Sequence, residues 1–214
     1  MPVFNEGRNV ELIYNSINKY ATKYNIDYKL VFVDDGSTDV LTLSIYNKLN
    51  NCYILRNKHK GQHISILSGF KYLQDSCDYV CTIDCDMQDP PNVLFLMYLK
   101  LISTDADAIR GVRLSRNDSF LKVVSARGYY SLLSFILKSP IANSSDFYIL
   151  KSSCIHLLDV NNLRLSIWVN CNVIDYKYTR NKRMYGKTKY SIIKLVSTAL
   201  SGLKYTISIK KKVK

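Results

Sequence analysis

The sequence predicts an α/β fold in which a mostly parallel central sheet is flanked by helices. Along the first half of the chain, short apolar runs rich in β-branched and aromatic residues alternate with longer stretches of helical periodicity. This alternation is typical of a parallel sheet wrapped by helices. Two of the apolar runs end in paired acidic residues, and no internal repeat or low-complexity linker divides the chain.

The elements are predicted in a fixed order. Helices are expected near 9–24, 39–50, 62–74 and 92–102, and strands at 28–33, 53–55, 79–83 and 108–113. Each strand is indicated by a short apolar run bounded by turn residues. The last of these helices begins after Pro90-Pro91, which cannot continue a strand. A further apolar stretch with interspersed basic residues, 121–137, indicates an amphipathic helix.

The composition indicates a globular protein with an anionic partner. The 214 residues are 47% hydrophobic and 22% charged, and the formal net charge is +13. A disordered chain would carry fewer hydrophobic residues, and so large a positive surplus attracts phosphate, anionic membrane or nucleic acid. No helix-turn-helix, zinc-finger or aromatic RNA-binding signature is present in the sequence, so we expect no nucleic acid partner.

Two carboxylates follow the apolar run 79–83. Asp84 and Asp86 flank a single residue just beyond this predicted strand. The ligand crevice of an α/β sheet lies beyond the carboxyl ends of its strands, and alternate side chains can face the same way. Such oxygen ligands suit Mg²⁺ or Mn²⁺ shared with substrate phosphates. An isolated Asp-x-Asp is, however, more often a turn that caps the next helix.

The run 28–33 also ends in acidic residues. Asp34 and Asp35 follow it directly, and Gly36 permits a tight turn there. Acidic side chains at a strand end can accept hydrogen bonds from ribose hydroxyls or from a base N–H. A solvated turn explains one such run well and two less well, so the two runs together favour a ligand-binding edge.

The order of these motifs resembles that of the family 2 glycosyltransferases. The matching segments are Pro2 to Glu6, Val33 to Ser37, Asn57 to Gly61 with Gly69, and Asp84 to Pro91. Two further segments, Gly111 to Arg113 with Arg116 and Arg183 to Tyr190, are similar to the branch that transfers sugar to polyprenyl phosphate. These are the dolichyl-phosphate mannosyltransferase-like enzymes. The resemblance covers about residues 1–203.

This resemblance implies the GT-A fold of nucleotide-diphospho-sugar transferases. It predicts one glycosyltransferase domain, 1–190, with a nucleotide-sugar half at 1–110 and an acceptor half at 111–190. The family normally begins with a full apolar strand before the turn at Pro2, and that strand is nearly absent here. We expect a central strand of this kind to matter for stability. A trimmed start and a truncated, inactive fold relative are both open explanations.

The resemblance further implies an inverting, metal-dependent hexosyltransferase that uses a nucleotide diphosphate sugar. It places Mg²⁺ or Mn²⁺ on Asp84, Asp86 and Gln88, with Asp86 as the first choice of direct ligand. A divalent cation stabilises the charge that develops on the leaving diphosphate. The donor would contact a set of residues at the two acidic strand ends, namely Pro2, Glu6, Asp34, Asp35, Asp84 and Gln88.

A polyprenyl phosphate acceptor is already anionic, so it needs cations rather than a base. The branch's basic positions would bind this phosphate, and they are Arg113, Arg127, Arg183 and Lys189. Arg113 and Lys189 are expected to be catalytic with Asp86. If the acceptor were instead a glycan hydroxyl, as in surface polysaccharide assembly of the cell envelope, a carboxylate would have to take its proton. Asp146 is the candidate for that base.

Residues 191–214 form an amphipathic, basic C-terminal segment that ends in Lys210 to Lys214. Lys194 and Lys204 interrupt its apolar face, so no span long enough for a transmembrane helix is predicted. A helix of this kind can lie on an anionic membrane surface, or it can be an ordinary packing helix with a solvated tail. The first interpretation predicts a cytoplasmic protein associated peripherally with the cytoplasmic face of a membrane.

Overall fold

The computed structural model describes residues 1–114, 128, 131–132, 134–136, 144–182, 184–185 and 200–208. Its strands are β1 (Pro2–Val3), β2 (Leu30–Asp34), β3 (Cys52–Arg56), β4 (Tyr79–Thr82), β5 (Ala108–Arg113), β6 (Ser144–Lys151) and β7 (Val173–Tyr178). Its helices are α1 (Arg8–Tyr24), α2 (Val40–Tyr46), α3 (Gln62–Leu73), α4 (Pro91–Ile102) and α5 (Leu163–Asn170). Two 3₁₀ turns, Ser152–Leu157 and Val160–Asn162, precede α5, and residues 200–208 are helical.

The described strands form two sheets. In the first, β2 lies between β1 and β3, and both neighbours are parallel to it. The second has the order β4-β6-β5-β7, in which β6 is antiparallel to β4 and β5, and β7 is parallel to β5. The predicted α/β class is confirmed. The antiparallel insertion of β6 was not predicted.

The first strand is as short as the sequence suggests. Pro2 and Val3 pair with Val33 and Asp34, and the Met1 carbonyl accepts a hydrogen bond of 2.8 Å from the Val33 N–H. Val3 is buried, and its carbonyl accepts from the Asp35 N–H at 2.7 Å. This pairing places the Pro2 to Glu6 turn beside the acidic end of β2.

Strand β6 separates two hydrophobic cores. Phe147 and Ile149 belong to the core formed with α1 and α4, whereas Tyr148 and Leu150 belong to the core formed with α3 and α5. Alternate residues of a strand point to opposite faces, so both faces of β6 are apolar and buried. Asp146 has the same parity as Tyr148 and is therefore directed towards α3.

Local sequence features explain where several helices begin and end. Asp39 caps α2 by accepting a hydrogen bond of 2.8 Å from the Thr42 N–H. Helix α4 begins at Pro91, whose missing N–H would be unpaired in the first turn anyway. Asn25 ends α1 in the left-handed conformation, with φ of 51°. No described helix has the length and apolar composition that crossing a bilayer requires.

All eight elements predicted between residues 9 and 113 are present, with boundaries shifted by a few residues. The amphipathic helix predicted at 121–137 and the segment 191–214 lie largely outside the described residues. Their described parts, within 128–136 and at 200–208, are helical.

Candidate active site

The end of β4 carries the predicted metal motif. The chain leaves β4 at Thr82 and forms a turn through Asp84, Cys85 and Asp86, with Met87 in the left-handed conformation at φ of 60°. Cys85 is buried in the core, and its thiol lies 3.6 Å from the Pro2 carbonyl oxygen. This contact brings the turn against β1, so the two acidic strand ends predicted from the sequence lie next to each other.

Asp84 lies among like charges. Burial and, to a lesser extent, the Asp89, Asp146 and Asp86 carboxylates raise its pKa to about 8, against the lowering effect of Arg113. The Gln62 side-chain amide, in the first turn of α3, donates a hydrogen bond of 2.9 Å to Asp84 Oδ1. Four carboxylates therefore converge at the ends of β4 and β6.

Asp86 is almost completely buried, and one of its oxygens shapes the turn. The Gln88 N–H donates a hydrogen bond of 3.1 Å to Asp86 Oδ1. Gln88 itself is partly buried, and its carbonyl oxygen accepts from the Asn181 N–H at 2.8 Å. The turn is thereby tied to the chain that follows β7.

Asp146 is 3% exposed at the start of β6. Its Oδ1 lies 3.9 Å from Nε2 of His63, which belongs to the first turn of α3. The sequence predicted Asp146 as a site residue but gave no sign of His63, because the two are brought together only by packing of α3 on β6.

Asp89 has several partners among the described residues. It is 1% exposed and accepts hydrogen bonds from the Tyr178 hydroxyl and, at 3.1 Å, from Arg180 Nε. Its Oδ2 lies 3.5 Å from an Arg113 terminal nitrogen, and Arg113 Nε lies 3.4 Å from the Tyr178 hydroxyl oxygen. Burial lowers the pKa of Arg113, but Asp89 and Tyr178 outweigh it and raise the pKa overall.

The acidic end of β2 is built into two turns. Asp34 is fully buried, accepts from the Ser37 N–H at 2.7 Å and lies 3.6 Å from an Arg56 nitrogen. The two Asp35 oxygens accept from the N–H groups of Lys60 and Gly61 at 2.7 and 2.9 Å. Both carboxylates therefore organise the backbone around the predicted nucleoside site.

An aromatic pair lies at the same edge. The rings of Phe4 and His59 are 4.5 Å apart, and His59 Nδ1 lies 3.1 Å from the Asp35 carbonyl oxygen. Asn5 holds the turn, since its side-chain oxygen accepts from the Thr38 and Asp39 N–H groups at 2.8 and 3.2 Å. Asn5 and Phe4 belong to the recognised motif, whereas nothing in the sequence marks His59 as their neighbour.

The described part of the chain thus brings together most of the predicted residues. Pro2, Glu6, Asp34 and Asp35 surround one turn, and Asp84, Asp86, Gln88, Asp146 and Arg113 surround the next. The predicted residues Arg127, Arg183 and Lys189 lie outside the described residues. The Tyr185 carbonyl oxygen lies 3.4 Å from the Asn9 side-chain amide in α1.

The donor set fits a divalent cation shared with phosphate. Among the described residues no three His, Cys, Asp or Glu side chains form a complete metal cage. Mg²⁺ is usually held by one or two carboxylates together with substrate phosphates, and Asp84 and Asp86 can supply those two. In this part of the chain the four converging carboxyl groups face two guanidinium groups, Arg113 and Arg180, so acidic groups are in excess where a cation would bind.

Comparison with known families gives one match that covers most of the chain. The model described as Glycosyl transferase family 2 matches residues 1–157. The uncharacterized glycosyltransferase YkoT of Bacillus subtilis (strain 168) is 30% identical over 188 residues, which are 83% of this chain and 56% of that protein.

A second relative carries a more specific name. The undecaprenyl-phosphate 4-deoxy-4-formamido-L-arabinose transferase of Sodalis glossinidius (strain morsitans) is 25% identical over 213 residues, or 92% of this chain and 63% of that protein. The chain therefore spans less than two thirds of the length of both relatives.

Among solved structures, glucosyl-3-phosphoglycerate synthase from Mycobacterium tuberculosis resembles this fold. Its complex with Mn²⁺, uridine diphosphate and phosphoglyceric acid superimposes with a TM-score of 0.69 at 15% identity. The match covers 98% of this chain and 76% of that one. The similarity confirms the predicted GT-A type of fold.

Proposed function

We propose, because this chain belongs to glycosyl transferase family 2, that it transfers a sugar from a nucleotide diphosphate sugar to a polyprenyl phosphate. The observation that carries this proposal is the cluster of Asp84, Asp86, Asp89 and Asp146 beside Arg113. It combines oxygen ligands for a cation with a partly buried guanidinium for a phosphate. The name of the undecaprenyl-phosphate transferase relative supports the choice of acceptor.

Donor binding follows from the two acidic turns. Pro2, Glu6, Asp34 and Asp35 would surround the nucleoside, with the last two acting through the turns they hold. Asp84, Asp86 and Gln88 would hold Mg²⁺ or Mn²⁺ against the diphosphate. Bound there, the cation would stabilise the negative charge of the departing nucleoside diphosphate. The four carboxylates would otherwise repel an anionic donor, so we expect donor binding to require the cation.

The acceptor phosphate would be held by basic side chains. Arg113 is held by Asp89 and Tyr178, and a guanidinium pairs well with phosphate oxygens. Arg127, Arg183 and Lys189 are proposed to complete this phosphate site. Attack by a phosphate oxygen on the anomeric carbon from the face opposite the leaving group would invert the sugar configuration, and this attack requires no base.

A glycan hydroxyl acceptor is the second candidate, and the His63–Asp146 contact favours it. Asp146 is buried with its oxygen 3.9 Å from His63 Nε2, so after a short approach a neutral imidazole could accept the proton that Asp146 takes from a hydroxyl. General-base catalysis of this kind typically contributes a factor of about 10²–10⁴. A phosphate acceptor gives Asp146 no such role.

A donor screen with labelled sugars separates the two candidates. The protein is incubated with Mn²⁺ or Mg²⁺, one nucleotide sugar at a time, a glycan acceptor, and vesicles with or without undecaprenyl phosphate. Label that enters the organic phase only when the lipid phosphate is present supports the proposed acceptor. Label found only in polar glycan would reject it in favour of the hydroxyl acceptor, and nucleotide release without a divalent cation would reject the metal.

The membrane is proposed as a further partner. The net charge of +13 and the basic C-terminal segment favour peripheral binding to the anionic cytoplasmic surface of a membrane, where a polyprenyl phosphate would be located. Cosedimentation with vesicles of increasing anionic lipid content tests this proposal.

A further inference from the structure

The Asp89 carboxylate has more cationic partners than its own charge requires. Arg180 and Arg113 both contact it, and the Tyr178 hydroxyl bonds to it as well. One arginine would suffice to neutralise a buried carboxylate. Placing a second guanidinium at the same carboxylate removes another charged group from water, which is unfavourable. Neutralising the buried Asp89 charge therefore does not by itself explain the second arginine.

Within the part of the chain that the structure describes, the two arginines use only part of their hydrogen-bonding capacity. There, Arg180 contacts Asp89 through Nε, and Arg113 uses Nε for Tyr178 and one terminal nitrogen for Asp89. Each guanidinium has five N–H donors in a planar fork. The side chains keep 24% and 17% of their surface accessible, whereas that of Asp89 keeps 1%. The buried carboxylate therefore anchors both guanidinium groups, whose remaining N–H donors have no partner among the described residues.

Arg113 and Arg180 lie next to the turn that carries the proposed cation ligands. Arg113 ends β5 and Arg180 follows β7, and these two strands are parallel neighbours. Asp89 belongs to the turn that starts with Asp84 and Asp86, and the Asn181 N–H bonds to the Gln88 carbonyl oxygen of that turn at 2.8 Å. Both arginines thus lie at the sheet edge at which Asp84 and Asp86 would hold the cation.

We infer that Arg180 is a phosphate-binding residue and that Asp89 and Tyr178 are positioning residues that hold Arg113 and Arg180 as a pair. The pair presents two adjacent guanidinium groups to one phosphate group, of the donor diphosphate or of the lipid acceptor. This inference rests on the proposed function, since it needs a phosphorylated substrate at this edge. It adds to that function the residues that orient the phosphate.

The first test compares Arg180→Gln with Lys182→Gln, an exposed basic residue two positions away. Binding of UDP and of GDP in the presence of Mn²⁺ is measured by calorimetry, and the KM for undecaprenyl phosphate in vesicles is measured by transfer assay. We expect Arg180→Gln either to lower the nucleotide affinity or to raise the KM for undecaprenyl phosphate by tenfold to a hundredfold, as for loss of a charge-assisted hydrogen bond. The melting temperature and the other constant should stay close to wild type.

The result of this comparison shows whether Arg180 binds the donor diphosphate or the acceptor phosphate. A weaker UDP or GDP affinity places Arg180 on the donor, and a higher KM for undecaprenyl phosphate with unchanged nucleotide affinity places it on the acceptor. Equal values for Arg180→Gln and Lys182→Gln, with an active wild type, would overturn the inference and leave the proposed function intact. A wild type that binds neither nucleotide and transfers no sugar would overturn both.

The second test concerns positioning. In an Asp89→Asn background we expect Arg180→Gln to change the affected constant, nucleotide affinity or KM, by less than threefold, because Arg180 is no longer held in place. Tyr178→Phe, which keeps the ring and removes only the hydroxyl, is measured in the same way in case Asp89→Asn does not fold. Fully additive losses in either background would show that Arg180 does not depend on these neighbours, and would overturn the positioning role.

Discussion

Gln62 in the first turn of α3 donates a hydrogen bond of 2.9 Å to Asp84 Oδ1, the first carboxylate after β4. Helix α3 is anchored by Ile66 and Phe70, which lie in the core against β6. The contact therefore fixes the orientation of Asp84 to a rigid helix. Because the Gln62 amide bonds to Oδ1, we expect the other Asp84 oxygen, Oδ2, to bind a ligand.

Replacing Gln62 by Leu should reduce activity and leave the fold intact. A hydrogen bond to a charged group contributes about 1.5–3 kcal/mol, so we expect kcat/KM to fall about tenfold or more. Gln74→Leu, at the exposed end of the same helix, is the matched control and should behave like wild type. Equal steady-state kinetics for the two variants would show that Asp84 is oriented without Gln62.

Asp86→Asn should abolish turnover while the protein stays folded. The amide oxygen can still accept the hydrogen bond from the Gln88 N–H, but the negative charge that would bind the cation is lost. We expect at least a hundredfold lower rate at saturating donor, with a melting temperature within a few degrees of wild type. Asp75→Asn, an exposed aspartate after α3, is the control. Retention of a tenth of the wild-type rate would exclude Asp86 as the cation ligand.

Asp84→Asn should stabilise the cation-free protein at high pH. The pKa of Asp84 is raised to about 8 in the folded state, whereas an unfolded aspartate has a pKa of about 3.9. Between these values the folded state binds more protons, so the free energy of unfolding falls as pH rises. The asparagine variant loses this dependence. The two pKa values differ by about four units, each worth about 1.4 kcal/mol, so we expect an advantage on the order of 5 kcal/mol at pH 8 and almost none at pH 4.

Thermal unfolding in chelator at several pH values measures this difference, with Asp105→Asn at an exposed position as the control. Added Mn²⁺ should then raise the melting temperature of the wild type and not that of Asp84→Asn. A stability difference that does not change between pH 4 and pH 8 would contradict the role assigned to the Asp84 charge.

Gly111→Ala should destabilise the protein because β5 has no space for a Cβ atom. An added Cβ would lie 2.6 Å from a ring carbon of Phe147 and 2.9 Å from one of Tyr178. Overpacking of this kind typically costs about 1–3 kcal/mol. Gly128→Ala, where an added Cβ meets nothing within 4 Å, should be neutral or slightly stabilising. Chemical denaturation of both variants measures the contrast, and equal stability would show that Phe147 and Tyr178 can move.

Removal of Lys210 to Lys214 should weaken binding to anionic vesicles. Each basic residue near such a surface contributes about 1 kcal/mol, and four lysines lie in this segment. Cosedimentation with vesicles rich in phosphatidylserine or phosphatidylglycerol measures the loss, and neutral vesicles are the control. Unchanged binding to both kinds of vesicle would show that the tail is solvated.

The sequence was informative wherever a signal is local. The apolar runs ending at Asp34 and Asp84 predicted both β2 and β4 and the ligand-binding edge beyond them, because a strand end and its acidic residues are adjacent in the chain. The short Pro2–Val3 strand was visible for the same reason. The helices α1 to α4 follow from apolar periodicity and clear stop signals.

The remaining features depend on contacts between distant segments. Asp89 was read as part of a motif, but its partners Tyr178 and Arg180 are about ninety residues away in sequence, and nothing local marks them. His63 meets Asp146 only because α3 packs on β6. Strand β6 was missed because both its faces are buried, so its apolar run lacks the alternation that would distinguish a strand from a buried helix.

The position of β6 between β4 and β5 also has a consequence for how the chain can fold. Strands β4 and β5 are joined only through β6 among the described strands, so the pairing that supports Asp84 and Asp146 has a large sequence separation. Such non-local pairing is slow to form because the chain must first close a long loop. We therefore expect that residues 1–110, exchanged between relatives as a module, would leave the edges of β4 and β5 unpaired.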